Sequence, residues 1–267
     1  MEEAVSRTGP PGGSAVSRAR AAWSGAKALA RSVRLYHGDP VRRRAMASLY
    51  AGFVGPGDLV FDVGAHVGDR TAAFRRLGCR VVAVEPQPSL ARFLRATQGW
   101  RPRVSVIPAA VGREAGETQL HLNPTNPTVA TASRAFVDAA AGAEGWHDQR
   151  WEGSVTVPVT TLDVLIARFG TPAFVKIDVE GFEAEALHGL GQRLEALSFE
   201  FTTIQRDVAH HALDRLGELG VDRFDASLGE SQQLVFGEPI DGSTLRRWLD
   251  ALPTAANSGD IYALADR

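Results

Sequence analysis

The amino-acid sequence predicts a doubly wound α/β domain with a mainly parallel sheet, and three observations carry that prediction. Short apolar runs alternate with amphipathic helical stretches along most of the chain, the pattern of repeated strand–helix units. The run 80–84, RVVAV, is apolar almost throughout, as a strand covered on both faces must be. Two of the runs end in an acid, Asp62 and Glu85, and a glycine turn follows the first. In an open α/β sheet, ligands bind beyond the carboxyl ends of the strands.

Each element has its own local reason. Residues 6–17 have the Ser, Gly and Pro content of a mobile segment. An arginine-rich amphipathic helix is expected over 18–36, with Trp23, Ala26, Ala30 and Val33 on one side. His37-Gly38-Asp39-Pro40 breaks it, and a second helix over 41–53 carries Met46, Leu49, Tyr50 and Phe53 at helical spacing. A Gly-Pro-Gly-Asp turn leads into the strand 59–61. A helix over 71–77 stops at Gly78. After strand 80–84, Ser89 is expected to cap a helix with Leu90, Phe93 and Leu94 inward. Strands 104–107 and 117–122 follow.

From 123 to 153 the periodicity fails, and a lid-like insertion bearing Trp146, His147 and Trp151 is expected there. Regularity returns with strand 155–159 and a helix that Thr161 opens, with Leu162, Leu165, Ile166 and Phe169 on one face. Strand 174–179, helix 181–190, strand 197–201, helix 208–219, strand 223–226, a helix capped by Ser243 and strand 261–264 complete the pattern.

Bulk composition sets outer bounds. At 267 residues with 44% apolar and 22% charged content, the chain suits one well-buried domain. The net charge of −2 leaves no footprint for nucleic acid. Residues 1–50 carry nine Arg or Lys against three acids. This basic, partly disordered and partly helical arm is set apart from a domain over 51–267, and it has the charge for peripheral contact with a membrane. No apolar run is long enough to span a bilayer, and no secretory signal is expected. A single cysteine, Cys79, rules out an internal disulfide and points to a reducing, cytoplasmic setting.

The spacing Asp62-x-Gly64-x-x-x-Gly68 lacks the middle glycine of a dinucleotide fingerprint, and Ala65, His66 and Val67 fill the turn. S-adenosylmethionine has no phosphate to seat on the helix, so such a turn suits it better. Asp62 is placed to accept from the cofactor's ammonium, directly or through water, and Glu85 from both ribose hydroxyls. In KIDVEGFE, residues 176–183, Asp178 and Glu180 point to the same crevice. Either could take a proton from an acceptor hydroxyl, and His147 is a third candidate. Lys176, two residues before Asp178 on the strand, shares its face and could hold it ionised. Glu183 reads as an acid favouring a helix N-terminus. Glu200 lies in the apolar run LSFEF and needs a partner. With Asp178 and Glu180 it would suit a hard cation such as magnesium, but the sequence predicts no metal site, and the histidines have no zinc-ligand spacing.

On these motifs the chain resembles the FkbM-type S-adenosylmethionine-dependent methyltransferases. GDLVFDVGAHVGDRT at 57–71, VVAVEPQP at 81–88, VPVTTLD at 157–163 and VKIDVEGFEAEALHGL at 175–190 carry the resemblance, in the right order. It implies a Rossmann-like class I methyltransferase fold, a sheet of seven mostly parallel strands with the last antiparallel. It also implies methyl transfer to a hydroxyl of a small molecule or saccharide. Asp62, Gly64, Ala65, Gly68, Thr71, Glu85, Pro86, Ala110 and Asp178 would be cofactor residues, with Asp178 and Glu180 bordering the acceptor. Two other classes share parts of the pattern: a nicotinamide-dependent oxidoreductase, and a non-catalytic module that binds S-adenosylmethionine.

Overall fold

The computed structural model describes Lys27 and residues 29–265. The expected mobile stretch 6–17, and Trp23 and Ala26 of the first expected helix, lie outside the described residues. Residues 29–38 are helical (α1). The first strand–helix units are α2 (Pro40–Tyr50), β1 (Leu59–Val63), α3 (Asp69–Arg76), β2 (Arg80–Val84), α4 (Pro88–Thr97) and β3 (Val104–Ile107). Next come β4 (Ala110–Val111), β5 (Gly116–Leu122), α5 (Arg134–Ala140), β6 (Gly153–Thr160) and α6 (Leu162–Phe169). The chain closes with β7 (Phe174–Ile177), α7 (Glu183–His188), β8 (Ala196–Thr202), α8 (Arg206–Glu218), β9 (Phe224–Leu228), α9 (Gly242–Ala251) and β10 (Ser258–Leu264).

Seven strands form one sheet in the order β3-β2-β1-β7-β8-β10-β9. Neighbours from β3 to β8 run parallel, and β10 is antiparallel to both β8 and β9. This is the class I methyltransferase topology that the sequence led us to expect. The order reverses at β1, between β2 and β7, so the crevice for a ligand opens beyond those strand ends.

The two faces of the sheet differ, and the period of two in each strand explains it. Phe61, Val175, Ile177, Leu197, Phe199 and Ile261 face Leu165, Leu187, Leu213 and Leu249 of the helices α6 to α9. Each such fully buried side chain contributes about 1.5–3 kcal/mol. On the other face Val60, Phe174 and Tyr262 meet Met46 and Tyr50 of α2 and Phe74 of α3. That face also carries a buried polar row, because the register sets Asp62 beside Lys176 and Lys176 beside Ser198. Cys79 is buried and free.

Several local expectations shift. The first helix runs on to residue 38, and Asp39 caps α2 by accepting from the N–H groups of Val41 (2.7 Å) and Arg42 (3.2 Å). Ser89 caps nothing; Pro88 opens α4, its fixed φ suiting the first helical position. Asp241, not Ser243, caps α9, accepting from Thr244 N–H at 2.9 Å, while Ser243 donates its hydroxyl to Asp241. The two-residue β4 was too short to show as a pattern; it joins β6 and β5 in a separate small sheet. Residues 123–153 hold more order than expected: a 3-10 turn, Pro127–Val129, and α5 build a core of Val129, Phe136, Ala140 and Trp146.

Candidate active site

Gly64 turns the chain out of β1 with φ +83. A Cβ there would lie 1.7 Å from the Asp178 carbonyl oxygen, so only glycine lets this turn press against the tip of β7. The N–H groups of Gly64 and Ala65 donate to Val84 O at 2.9 and 3.0 Å, and Asp178 N–H donates to Val63 O at 2.9 Å. These bonds tie the ends of β1, β2 and β7 together. Gly64, Glu85 and Asp178 thereby line one cavity of about 830 Å³, counting its open mouth.

Glu85 is fixed from both sides. Its Oε1 accepts from Gln87 N–H at 2.7 Å and its Oε2 from His66 N–H at 2.9 Å. His66 adopts φ +47 to make that bond. Each carboxylate oxygen keeps a second lone pair for a ligand. Burial pushes Glu85 up to about 7. Asp62 is placed differently from the expectation. It accepts a hydrogen bond from the Thr71 hydroxyl and sits behind the wall, 1% exposed. Burial pushes it up to about 6, with the Thr71 bond pulling the other way. Pro86 and Ala110 line the cavity, whereas Ala65, Gly68, Thr71 and Asp62 are not part of its lining.

A second acid system closes the other side. Asp178 lies 3.2 Å from Arg70 Nη2 and 3.6 Å from Lys176 Nζ. Lys176 is fully buried, with Asp260 Oδ1 at 2.7 Å and Ile177 O accepting at 3.1 Å. Burial raises the Asp178 carboxyl, but Lys176 and Arg70 outweigh it, so its pKa lies below the ordinary range and it stays ionised. Glu180 takes φ +53 and Gly181 φ +85. The turn is pinned by Glu183 Oε1, which accepts from Val179 N–H (3.0 Å) and Gly181 N–H (3.3 Å). Thr131 Oγ1 donates to Glu180 O at 2.7 Å. Glu183 is thus more than the helix-end acid that its position suggested.

Glu200, on β8 opposite Asp260, completes the system. Carboxylate oxygens of Asp178, Glu180 and Glu200 lie within 4.8 Å of one another. Burial first, and the Asp178 charge second, push Glu180 and Glu200 well above the ordinary range. Lys176 and Arg70 already balance the one ionised member, Asp178.

The sequence reading missed three walls: Tyr36 from α1, Arg70 from α3 and Glu230 from the loop after β9. Arg42 joins two of these elements, reaching Asp69 at 3.0 Å and Glu230 at 2.9 Å. The Tyr36 ring stands edge-on to His66 at 5.2 Å. Burial brings the His66 imidazole down to about 4, so it is neutral. No local signal marks Arg70 among so many arginines. His147 is exposed and lines neither this cavity nor its neighbour. Trp146 Nε1 donates to Asn257 Oδ1 at 3.2 Å and Trp151 Nε1 to Val129 O at 2.7 Å. Both indoles pack edge-on to Phe136.

The family description "Methyltransferase FkbM domain" matches residues 62–222. The chain belongs to that family. The matched span takes in Asp62, Glu85, Asp178, Glu180 and Glu200. Over 154 residues the chain is 29% identical to the hexuronic acid methyltransferase AglP of Haloferax volcanii, covering 57% of each protein. It thus spans just over half the length of that curated relative. Matches among solved structures include a TehB-like SAM-dependent methyltransferase from Corynebacterium glutamicum. That match has 12% identity and a TM-score of 0.47, and covers 92% of this chain and 99% of that one. Fibrillarin from Aeropyrum pernix, solved with natively bound S-adenosyl-L-methionine, matches at 13% identity and a TM-score of 0.43, over 82% and 73% of the two chains. Among the described residues no helix is long and apolar enough to cross a membrane.

Proposed function

We propose that this FkbM-family protein is an S-adenosylmethionine-dependent O-methyltransferase acting on a hydroxyl of a saccharide or another small molecule. The observation that carries the reading is Glu85, held at the tip of β2 with one lone pair of each oxygen open to the cavity. Two acceptors side by side suit a ribose diol. Gly64 supports the fit, since only its bare backbone can press against the Asp178 backbone and bring the ends of β1 and β7 together at the cavity. The named relative, a hexuronic acid methyltransferase, supports a saccharide acceptor.

The bound cofactor would supply an electrophilic methyl group. The protein's own residues do the rest. Glu85 orients the ribose, and Asp62 anchors Thr71 and the first turn of α3 from behind the wall. Asp178, kept ionised by Lys176 and Arg70, is a fixed negative charge beside the reacting centre. Glu180 borders the acceptor on the strained turn, where its carboxyl can orient the acceptor hydroxyl. The walls from α1 and residues 127–132 limit water around the transfer.

The reading is tested by incubating the full chain with methyl-labelled S-adenosylmethionine and an oligosaccharide fraction that contains uronic acids. We expect label in the saccharides. Cofactor binding with no transfer to saccharide or small-molecule fractions would leave only a binding module.

A further inference from the structure

Helix α1 has two unlike faces. Ser32 is buried, and Leu29, Val33 and Tyr36 are half-buried against the protein. Arg31, Arg34 and Leu35 are exposed, and their spacing of three and four residues puts them on one outer stripe. Exposure continues onto the first turn of α2, where Val41 and Arg44 lie three residues apart on one face. Leu35 is 62% exposed and Val41 66%. The other exposed large aliphatics among the described residues, Val164 and Val235, reach only 49% and 42%. The two most exposed therefore lie at one corner of the molecule. A single exposed aliphatic needs no explanation, but a pair set among cations makes a patch.

The charge of the corner is as uneven as its polarity. Arg42 and Arg43 turn inward, to Asp69, Glu230 and the His37 carbonyl. Arg31 and Arg34 form no ion pair among the described residues, and Arg44 donates to the Pro40 carbonyl at 3.3 Å. The acid at the corner, Asp39, is taken up as the cap of α2. The body of the protein is acidic by contrast, with 28 acids against 20 Arg or Lys over residues 51–267. We propose that this corner of α1 and α2 docks on an anionic lipid bilayer, with Arg31, Arg34 and Arg44 at the headgroups and Leu35 and Val41 entering the interface.

A bilayer fits these observations better than a protein or a nucleic acid does. Arginines beside exposed aliphatic side chains suit a helix lying flat in a headgroup interface, and each arginine gains from the surface potential of an anionic leaflet. The patch is far smaller than the roughly 20–30 residues that a stable protein interface uses on each side. A phosphate backbone would engage the arginines and leave Leu35 and Val41 in water. The position of the patch also bears on the site. A second cavity, about 950 Å³ counting its mouth, lies between α1 and residues 125–129, and Tyr36, Thr128 and Glu180 line both it and the first. Arg31 and Leu35 line the second cavity and also the outer groove of α1. Docking therefore sets the mouth of the second cavity at the bilayer surface.

The test floats the full-length protein with vesicles of phosphatidylcholine alone and of phosphatidylcholine with about one-third phosphatidylglycerol, at roughly 0.1 M salt. Wild type should partition onto the anionic vesicles at least ~10-fold more strongly than onto the neutral ones, and less so as salt rises. The double variant Arg34→Gln, Arg44→Gln should lose about 25-fold of that partitioning, about fivefold for each arginine. Val41→Ser should lose about threefold, and Val164→Ser, away from the corner on α6, should lose nothing. None of these four side chains lines either cavity, and thermal melts followed by circular dichroism should coincide with wild type. Equal partitioning onto both kinds of vesicle, or a double variant that partitions as wild type does, would overturn the docking surface. A Val41→Ser variant that partitions as wild type does would overturn the bilayer as its occupant and leave an acidic macromolecule instead, which tight binding of polyglutamate would show.

Discussion

The acids on the two sides of β1 live in opposite conditions. On the β2 side Glu85 has both oxygens tied to backbone N–H groups, and Asp62 is met by Thr71. On the β7–β8 side Glu180 and Glu200 crowd against Asp178, and Glu200 shares a side-chain hydrogen bond with it. The first set is preorganised by those bonds, although burial still raises both carboxyls. The second set is held in place by the sheet and gathered round the charges of Lys176 and Arg70. A two-substrate site can divide in this way, with one half fixed by hydrogen bonds and the other by buried charge.

The comparison can be broken from either side. The largest effect is expected at Lys176, which carries the charge balance of the β7–β8 side. Lys176→Met leaves Asp260 buried without its lysine and Asp178 with Arg70 alone and should cost about 4 kcal/mol in urea unfolding at neutral pH. The pH dependence should also change sign. The wild-type Asp178 pKa is lowered, so its contribution is present above the unfolded carboxylate range and is lost as pH falls. In the variant burial dominates and the pKa rises, so stability should be greatest in acid and decline as pH rises toward neutrality.

Gly64 is the next largest. Gly64→Ala must relieve a 1.7 Å approach to the Asp178 carbonyl at a positive φ, and should cost about 3 kcal/mol. It joins both halves, so any folded fraction should lose cofactor affinity as well, which calorimetry would show. The smallest effect is expected away from both halves. Trp151→Phe removes the bond to Val129 O and should cost about 1 kcal/mol. Cofactor affinity should stay unchanged, because that indole braces the 123–153 segment and lines neither cavity.

The β2 side was the more legible in the sequence. Glu85 follows a valine strand, and the acid at a strand tip could be read from period and position alone. The bounds of β2 and β3 match the expected runs 80–84 and 104–107. Lys176 and Asp178 share a face by the same period of two. Asp62 was legible as a strand-tip acid, but not that its Oδ2 accepts from Thr71 on the next helical turn. The β7–β8 side was harder. Tyr36 and Glu230 reach the cavity only through α1 and the loop after β9, and no local pattern encodes such approaches. Glu200 was visible as an acid in an apolar strand that needs a partner, but its closeness to Asp178 and Glu180 is a fact of three dimensions. The tryptophans of 123–153 were expected in a lid; Trp146 joins a small core with Phe136 and Val129, and Trp151 packs against it.

The account rests most heavily on Glu85 as the ribose acceptor. Calorimetric titration of S-adenosylmethionine into the wild type and Glu85→Gln, at pH 6 and pH 8, tests it directly. Burial raises the Glu85 pKa to about 7. The carboxylate accepts ribose hydroxyls better than the acid does, so wild-type affinity should rise about fivefold from pH 6 to pH 8. The apo protein should do the reverse, since the stability that a raised carboxyl contributes is full below its unfolded pKa and is lost as pH rises through about 7. Glu85→Gln should bind at least ~10-fold more weakly, about 1.4 kcal/mol, with no pH dependence. Equal affinity of variant and wild type at both pH values would contradict the account, as would a wild type that gives no heat with S-adenosylmethionine at all.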